Sequence, residues 1–238
     1  MNNSEIPTED DLYFGKLYKY KSCPLDKNHP DYEEEYKRIE TIFLHNKIYF
    51  SSPLSFNDPF DCKSFINTGR IREDGLEELT AWYEKQKPDL DKEQVNSNIN
   101  YMTQKEMTLL EFEQQFSISL KSYGVLCLSE INNDILMWSH YAAGHTGYCI
   151  EFNCEEIDSI FCESFQVNYN ANFPQFNFYK ISPYERFRKL LHTKAKSWKY
   201  EKERRIVNLE KGYKEFPPEV ITGVILGCQI GDVERTEL

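Results

Sequence analysis

Apolar and polar positions alternate along KLYKYKS (16–22), where Leu17, Tyr18 and Tyr20 sit among lysines, and this aromatic-rich pattern predicts a first strand. The period changes in YEEEYKRIETIFLHN (32–46): Tyr36, Ile39, Ile42 and Phe43 recur at helical spacing and predict a helix. KIYFSS (47–52) reads as a second strand. PLSFNDPFD (53–61) reads as an ordered turn, because a residue before proline avoids the helical region and Asn and Asp side chains cap turns. Residues 70–122 are rich in charge and poor in β-branched runs, which predicts two or three helices forming an insertion beside the main sheet.

From residue 123 the pattern favours strands. YGVLCLSE (123–130) is an apolar run, NDILMWSHYAAG (133–144) a short helix capped by Asn133 or Asp134, and TGYCIEF (146–152) another strand. FQVNYN (165–170) precedes a helix expected over PYERFRKLLHTKAKS (183–197), with Pro183 in its first turn. WKYEKERRIVNL (198–209) and EVITGVILG (219–227) complete the expected strands. Strands and helices do not alternate regularly, so the fold class is α+β with a mixed or antiparallel sheet core. No repeat or long linker divides the chain, which reads as one domain, 1–238, with 70–122 as a helical insertion.

Composition narrows the function classes. A chain of 238 residues, 40% of them hydrophobic, buries a sizeable core. Its 28 Lys and Arg against 39 Asp and Glu leave a formal charge of −11, with no general attraction to phosphate backbones or anionic lipid. One basic stretch stands out: Lys189, Lys194, Lys196, Lys199, Lys202, Arg204 and Arg205, read mainly as solvated lysines on a helix. The longest apolar runs, such as GVIL (223–226), fall far short of the roughly 18 residues of a membrane span, and MNNSEIPTEDDL lacks a signal-like apolar region. A cytoplasmic protein without membrane partners is therefore expected. Seven cysteines at irregular spacing fit a reducing compartment, with Cys127 and Cys149 as buried small hydrophobes. His140, His145, Cys149 and Cys154 match no common zinc spacing, so no metal site is expected.

The segment SWKYEKERRIV (197–207) carries the candidate chemistry. Read as a strand, it places Lys199, Glu201, Glu203 and Arg205 on one face, the two carboxylates about 7 Å apart. If that face is buried, one carboxylate stays ionised beside Arg205 while the other exchanges protons, a pairing suited to positive charge developing on a sugar carbon. The plainer alternative is an edge strand with a salt-bridged, solvated face.

Three motifs, FSSPLSFNDPFDC (50–62), MWSHYAAGHTGYCIEF (137–152) and KSWKYEKERRIV (196–207), together resemble a bacterial family known only as a domain of unknown function. The order of elements is also similar, more distantly, to the ADP-ribosyltransferase superfamily, which cleaves the nicotinamide glycosidic bond of NAD and transfers ADP-ribose. That resemblance implies NAD as substrate and an unknown acceptor, which is a protein, a nucleic acid or a small molecule. It implies Glu203 as the catalytic glutamate on the ribose 2′-hydroxyl and Glu201 as its helper, orienting or deprotonating the acceptor. Tyr141 takes the place of the tyrosine that stacks on nicotinamide, with Ser139 and His140 beside it. Lys19 and Ser129 would hold the adenosine ribose or pyrophosphate. It also implies a toxin or phage-defence role and a chain continuing beyond GCQIGDVERTEL.

The sequence departs from that superfamily in three ways: Lys19 replaces an Arg or His, no Ser-Thr-Ser triplet follows the middle strand, and an extra residue separates Glu203 from Ile206-Val207. Two other classes stand beside it, a non-catalytic nucleotide- or protein-binding module and a metal-dependent hydrolase using His140 and His145. Asp58 and Asp61 read either as pocket residues or as parts of a tight turn organised by Asn57.

Overall fold

The period-two segments pair as one antiparallel sheet whose two faces serve two different cores. The computed structural model describes residues 13, 15–23, 32–58, 61–62, 77, 80–81, 83–85, 87–104, 118, 120–154, 160–161, 163–172 and 188–237. In chain order the elements are β1 (Lys16–Lys21), α1 (Tyr32–Phe43), β2 (Lys47–Phe50), α2 (Lys92–Gln104), β3 (Gly124–Ser129), α3 (Ile135–Tyr141) and β4 (Tyr148–Asn153). They continue with β5 (Phe165–Gln166), β6 (Asn168–Asn170), β7 (Thr193–Ala195), β8 (Glu203–Asn208), β9 (Gly212–Glu215), β10 (Ile221–Leu226) and α4 (Asp232–Glu237). The main sheet has the order β10-β4-β1-β3-β8-β5, antiparallel throughout. β2 pairs with β9 and is tied to the main sheet where Ser51 and Val125 exchange backbone bonds of 3.0 and 2.8 Å. β6 and β7 form a separate parallel pair.

Alternation divides the buried residues. On β4, Tyr148, Ile150 and Phe152 enter the main core with Leu17, Leu126, Leu128 and Ile206, and Phe152 stacks on Phe161 at 4.5 Å. Cys149, on the opposite face, joins Tyr20, Met137, Trp138 and Ala142 under α3. Asp134 caps α3, its Oδ1 accepting from the amides of Leu136 and Met137 at 2.9 and 3.2 Å, which selects it over Asn133 as the helix start. Gly147, between α3 and β4, is fixed by close approach: a Cβ there would lie 2.1 Å from the Lys21 carbonyl oxygen.

The sheet is also where the site is laid out. Register puts Cys127 opposite Arg205 and Ser129 opposite Glu203, so β3 and β8 present these four on one face. β1 meets β3 only at Tyr18–Ser129, and Lys19 Nζ spans the opened seam to donate 2.7 Å to the Cys127 carbonyl.

Two expectations need correction. The helix expected over 183–197 ends by Leu191; Thr193–Ala195 is a strand and Lys196–Glu201 a 3-10 helix, while residues 183–187 lie outside the described residues. The strand expected over 198–209 starts only at Glu203, so Glu201 and Glu203 do not share a strand face. The reason is tertiary: Lys194 and Glu201 are buried ion-pair partners, and that pairing outweighs the weak helical preference of KLLHTKAKS. β9, short and polar, gives no sequence signal. Of the expected insertion, α2 is described, with Val95 and Ile99 buried; much of 70–122 lies outside the described residues. Among the described residues no helix is long and apolar enough to cross a membrane.

Candidate functional site

Glu201 and Glu203 converge on a single buried amine. Glu201 closes the 3-10 helix, Lys202 turns the chain in the left-handed region (φ 43°), and Glu203 opens β8. That turn lets side chains from two elements reach Lys194 Nζ on β7, at 2.5 Å from Glu201 Oε2 and 2.9 Å from Glu203 Oε2. Arg205, two residues along the same face of β8, donates from Nε to Glu203 Oε1 (2.7 Å) and from Nη2 to Glu203 Oε2 (3.0 Å). Its other edge grips Asp61 through Nη1–Oδ1 (2.9 Å) and Nη2–Oδ2 (2.6 Å), and Nη1 also donates to the Leu191 carbonyl at 2.7 Å. All five side chains are buried, Arg205 completely.

Three carboxylates thus face two cations. Burial pushes the Glu203 carboxyl up, but Arg205 and Lys194 outweigh it and hold the group well below the usual carboxylate range. Glu201 moves the other way, because burial dominates and Lys194 offsets it only in part, so its pKa is raised. Burial would lower Lys194, but Glu203 and Glu201 keep it a firm cation. The set therefore holds one permanent carboxylate beside one poised to take a proton, the asymmetry that separates roles in paired-carboxylate sites.

Around this group lies a pocket of about 240 Å³ lined by Tyr18, Tyr20, Tyr49, Phe56 and Tyr141, with Glu201, Glu203, Lys194 and Asp61 at its polar end and Lys19 in the wall. The Tyr141 hydroxyl donates to Glu201 Oε1 at 2.6 Å. Ser129 also lines the pocket, yet its hydroxyl donates to the Glu201 carbonyl (2.7 Å) and accepts from the Ile131 amide (3.1 Å), so it pins the 3-10 helix to β3. The Glu203 amide donates to the Tyr169 hydroxyl at 2.7 Å.

Of the residues the sequence singles out, Glu201, Glu203, Tyr141, Lys19 and Ser129 meet in this pocket. Ser139 and His140 are exposed on α3 and lie outside its lining, because their positions on the short helix face away from the sheet. Asp61 lines the pocket, whereas Asp58 is buried outside its lining. Sequence reasoning misses Lys194, treating it as a solvated helix lysine; nothing in its neighbours marks it as buried. Cys127 also lines the pocket, and burial pushes its thiol well up, so it stays neutral there. Among the described residues no group of three or more His, Cys, Asp or Glu is arranged to hold a metal ion; Lys194 and Arg205 are the cations that meet the carboxylates here.

Residues 137–206 match the model of a family described as a protein of unknown function, DUF2971. The matched segment runs from α3 into β8 and supplies Tyr141, Lys194, Glu201, Glu203 and Arg205, while Asp61, Lys19, Cys127 and Ser129 come from elsewhere: Asp61 and Lys19 precede it by many residues, and Cys127 and Ser129 lie on β3 just before it. No curated protein and no solved structure matches the chain.

The depressed Glu203 pKa has a measurable consequence. A carboxyl held below its unfolded value of about 4.3 contributes stability that is complete above that pH and is lost as the pH falls through it toward the native pKa. Glu201, with its raised pKa, contributes with the opposite sign. Urea unfolding at about pH 6 and about pH 3.5 should show the wild type losing stability on acidification and Glu203→Gln losing less. Equal losses in the two proteins would mean that Glu203 is not held ionised.

Proposed function

We propose that this pocket binds NAD as a substrate and that the protein is an ADP-ribosyltransferase, releasing nicotinamide and transferring ADP-ribose to an acceptor. The observation that carries the reading is the charge imbalance inside an aromatic pocket: Asp61, Glu201 and Glu203 against Lys194 and Arg205. One surplus negative charge under Tyr141, Tyr20 and Phe56 favours a flat cationic ring and the positive charge that develops on a ribose carbon when that ring departs. Lys19, in the wall between β1 and β3, supplies the opposite sign for an anionic pyrophosphate. A volume of about 240 Å³ suits the nicotinamide riboside end, with the rest of the dinucleotide toward the mouth.

In this scheme Glu201 keeps the role the superfamily resemblance implies, and that of Glu203 changes. Both oxygens of Glu203 are engaged by Arg205 and Lys194, so Glu203 acts as a fixed negative charge and holds Lys194 in place. Glu201, with its raised proton affinity, is the general base that takes the acceptor's proton as the acceptor lone pair bonds to the ribose carbon and the glycosidic electron pair leaves with nicotinamide. Tyr141 orients Glu201 and walls the ring site.

The same saturation of Glu203 favours a second reading, a nucleotide-binding module without turnover. The test is direct: the purified chain is incubated with NAD in cell lysate and released nicotinamide is measured, with calorimetry for NAD binding. Release supports the transferase. Binding without release supports the module, and neither binding nor release removes NAD from the account.

A further inference from the structure

The outer side of the 3-10 helix Lys196–Glu201 is chemically distinct from the rest of this acidic chain. With three residues per turn, positions i and i+3 eclipse, so the helix has three edges. One carries Trp198 and Glu201 and points Glu201 into the pocket. The next carries Ser197 and Tyr200. The third carries Lys196 and Lys199, and Lys202 follows at the turn.

All three lysines are exposed, and among the described residues none makes an ion pair or side-chain hydrogen bond, in a chain whose net charge is −11. Carboxylates of the neighbouring segments are occupied: Glu130 meets Arg204, Asp134 caps α3, and Glu201 meets Lys194. Beside the lysines, exposed His140 and half-buried Trp198 and Tyr200 form a ring cluster with centroids 6.0 to 6.2 Å apart, and His140 and Tyr200 are tilted by only 31°. The Trp198 indole N–H, the Tyr200 hydroxyl and the His140 nitrogens make no hydrogen bond among the described residues. Lys194 Nζ lies 5.2 Å from the Trp198 ring centroid, which links this ledge to the pocket.

We propose that this ledge binds single-stranded nucleic acid, with bases stacking on His140 and Tyr200 and phosphates meeting Lys196, Lys199 and Lys202. Unpaired lysines along one edge of the helix with aromatic rings on the adjoining edges are the components of sequence-tolerant single-strand binding, in which lysines track the backbone and rings take the bases. An acidic peptide satisfies the lysines but leaves the rings unused. If the pocket is the transferase site proposed above, the bound strand is its acceptor, since Glu201 on the same 3-10 helix faces the pocket; docking itself does not depend on that reading.

The test uses the full chain without NAD, so it is separate from the transferase assay. A fluorescein-labelled oligothymidylate of about 12 nucleotides is titrated by anisotropy at several salt concentrations. Three lysine–phosphate contacts predict a slope of log K against log[salt] of about −2, at about −0.7 per phosphate. Lys196→Glu/Lys199→Glu, both at exposed positions, should weaken binding at least about tenfold and bring the slope to about −0.7. Tyr200→Ala should weaken it at least about fivefold, with Tyr200→Phe close to wild type. The proposal is overturned by absent binding, by lysine variants that bind like wild type, by a duplex bound as tightly as the single strand, or by polyglutamate of equal length bound as tightly.

Discussion

Glu201→Gln is expected to lower nicotinamide release by about 10²- to 10⁴-fold, the range typical of a missing general base, while leaving the fold in place. The amide matches the carboxylate in shape, and the charge count explains why the fold should tolerate it. Without the Glu201 charge, Asp61 and Glu203 face Lys194 and Arg205 in equal number. The oxygen of the new amide accepts from Lys194, and its NH2 donates to the Tyr141 hydroxyl, which reverses its own bond. Loss of activity with an unchanged circular dichroism spectrum and melting temperature would assign chemistry to this carboxyl. Because burial raises the Glu201 pKa, wild-type kcat should rise with pH through a value above the ordinary carboxylate range of about 4.3. That acidic limb should be missing from the residual activity of the variant. A variant that keeps wild-type rate, or keeps the limb, would remove Glu201 from the mechanism.

Much of the scaffold is legible because its signals are local. The alternation in KLYKYK, the apolar runs GVLCLS and ITGVIL, and the Asp134 cap before ILMWSHY each act over a few residues, and β1, β3, β10 and α3 follow them. Pairing Glu201 with Glu203 is also legible, but the geometry behind it is not. Spacing makes them i and i+2 on a strand; they belong to different elements joined by a left-handed Lys202, and they meet only through Lys194. Lys194 itself sits in a sequence that favours helix, and the carboxylates of Glu201, Glu203 and Asp61 make its burial tolerable. Asp61 is undecided from sequence for the same reason. Its partner Arg205 lies 144 residues away, and no local pattern encodes a contact of that range. The site is therefore a product of sheet register: β3 and β8 place Cys127, Ser129, Glu203 and Arg205 on one face, and Asp61 closes over them from outside the sheet.

Arg205→Met should be the most destabilising single change at this site, costing about 3–5 kcal/mol and lowering the melting temperature by about 6–20 °C. The guanidinium is fully buried, and four of its hydrogen bonds go to carboxylate oxygens of Glu203 and Asp61, with others to the Leu191 carbonyl and Cys62 Sγ. Methionine fills much of the volume but leaves three carboxylates facing Lys194 alone, so the loss comes from uncompensated buried charge more than from packing. Two further measurements separate those causes. Arg205→Lys restores a charge but not the fork that spans both carboxylates, so it should recover only part of the stability. Acidification should narrow the gap between wild type and Arg205→Met, because the orphaned Glu203 carboxyl takes up a proton more readily once its cation is gone. A gap that stays constant from about pH 7 to about pH 4 would show that Arg205 supports the fold by filling space, and the ion-pair account of this core would fail with it.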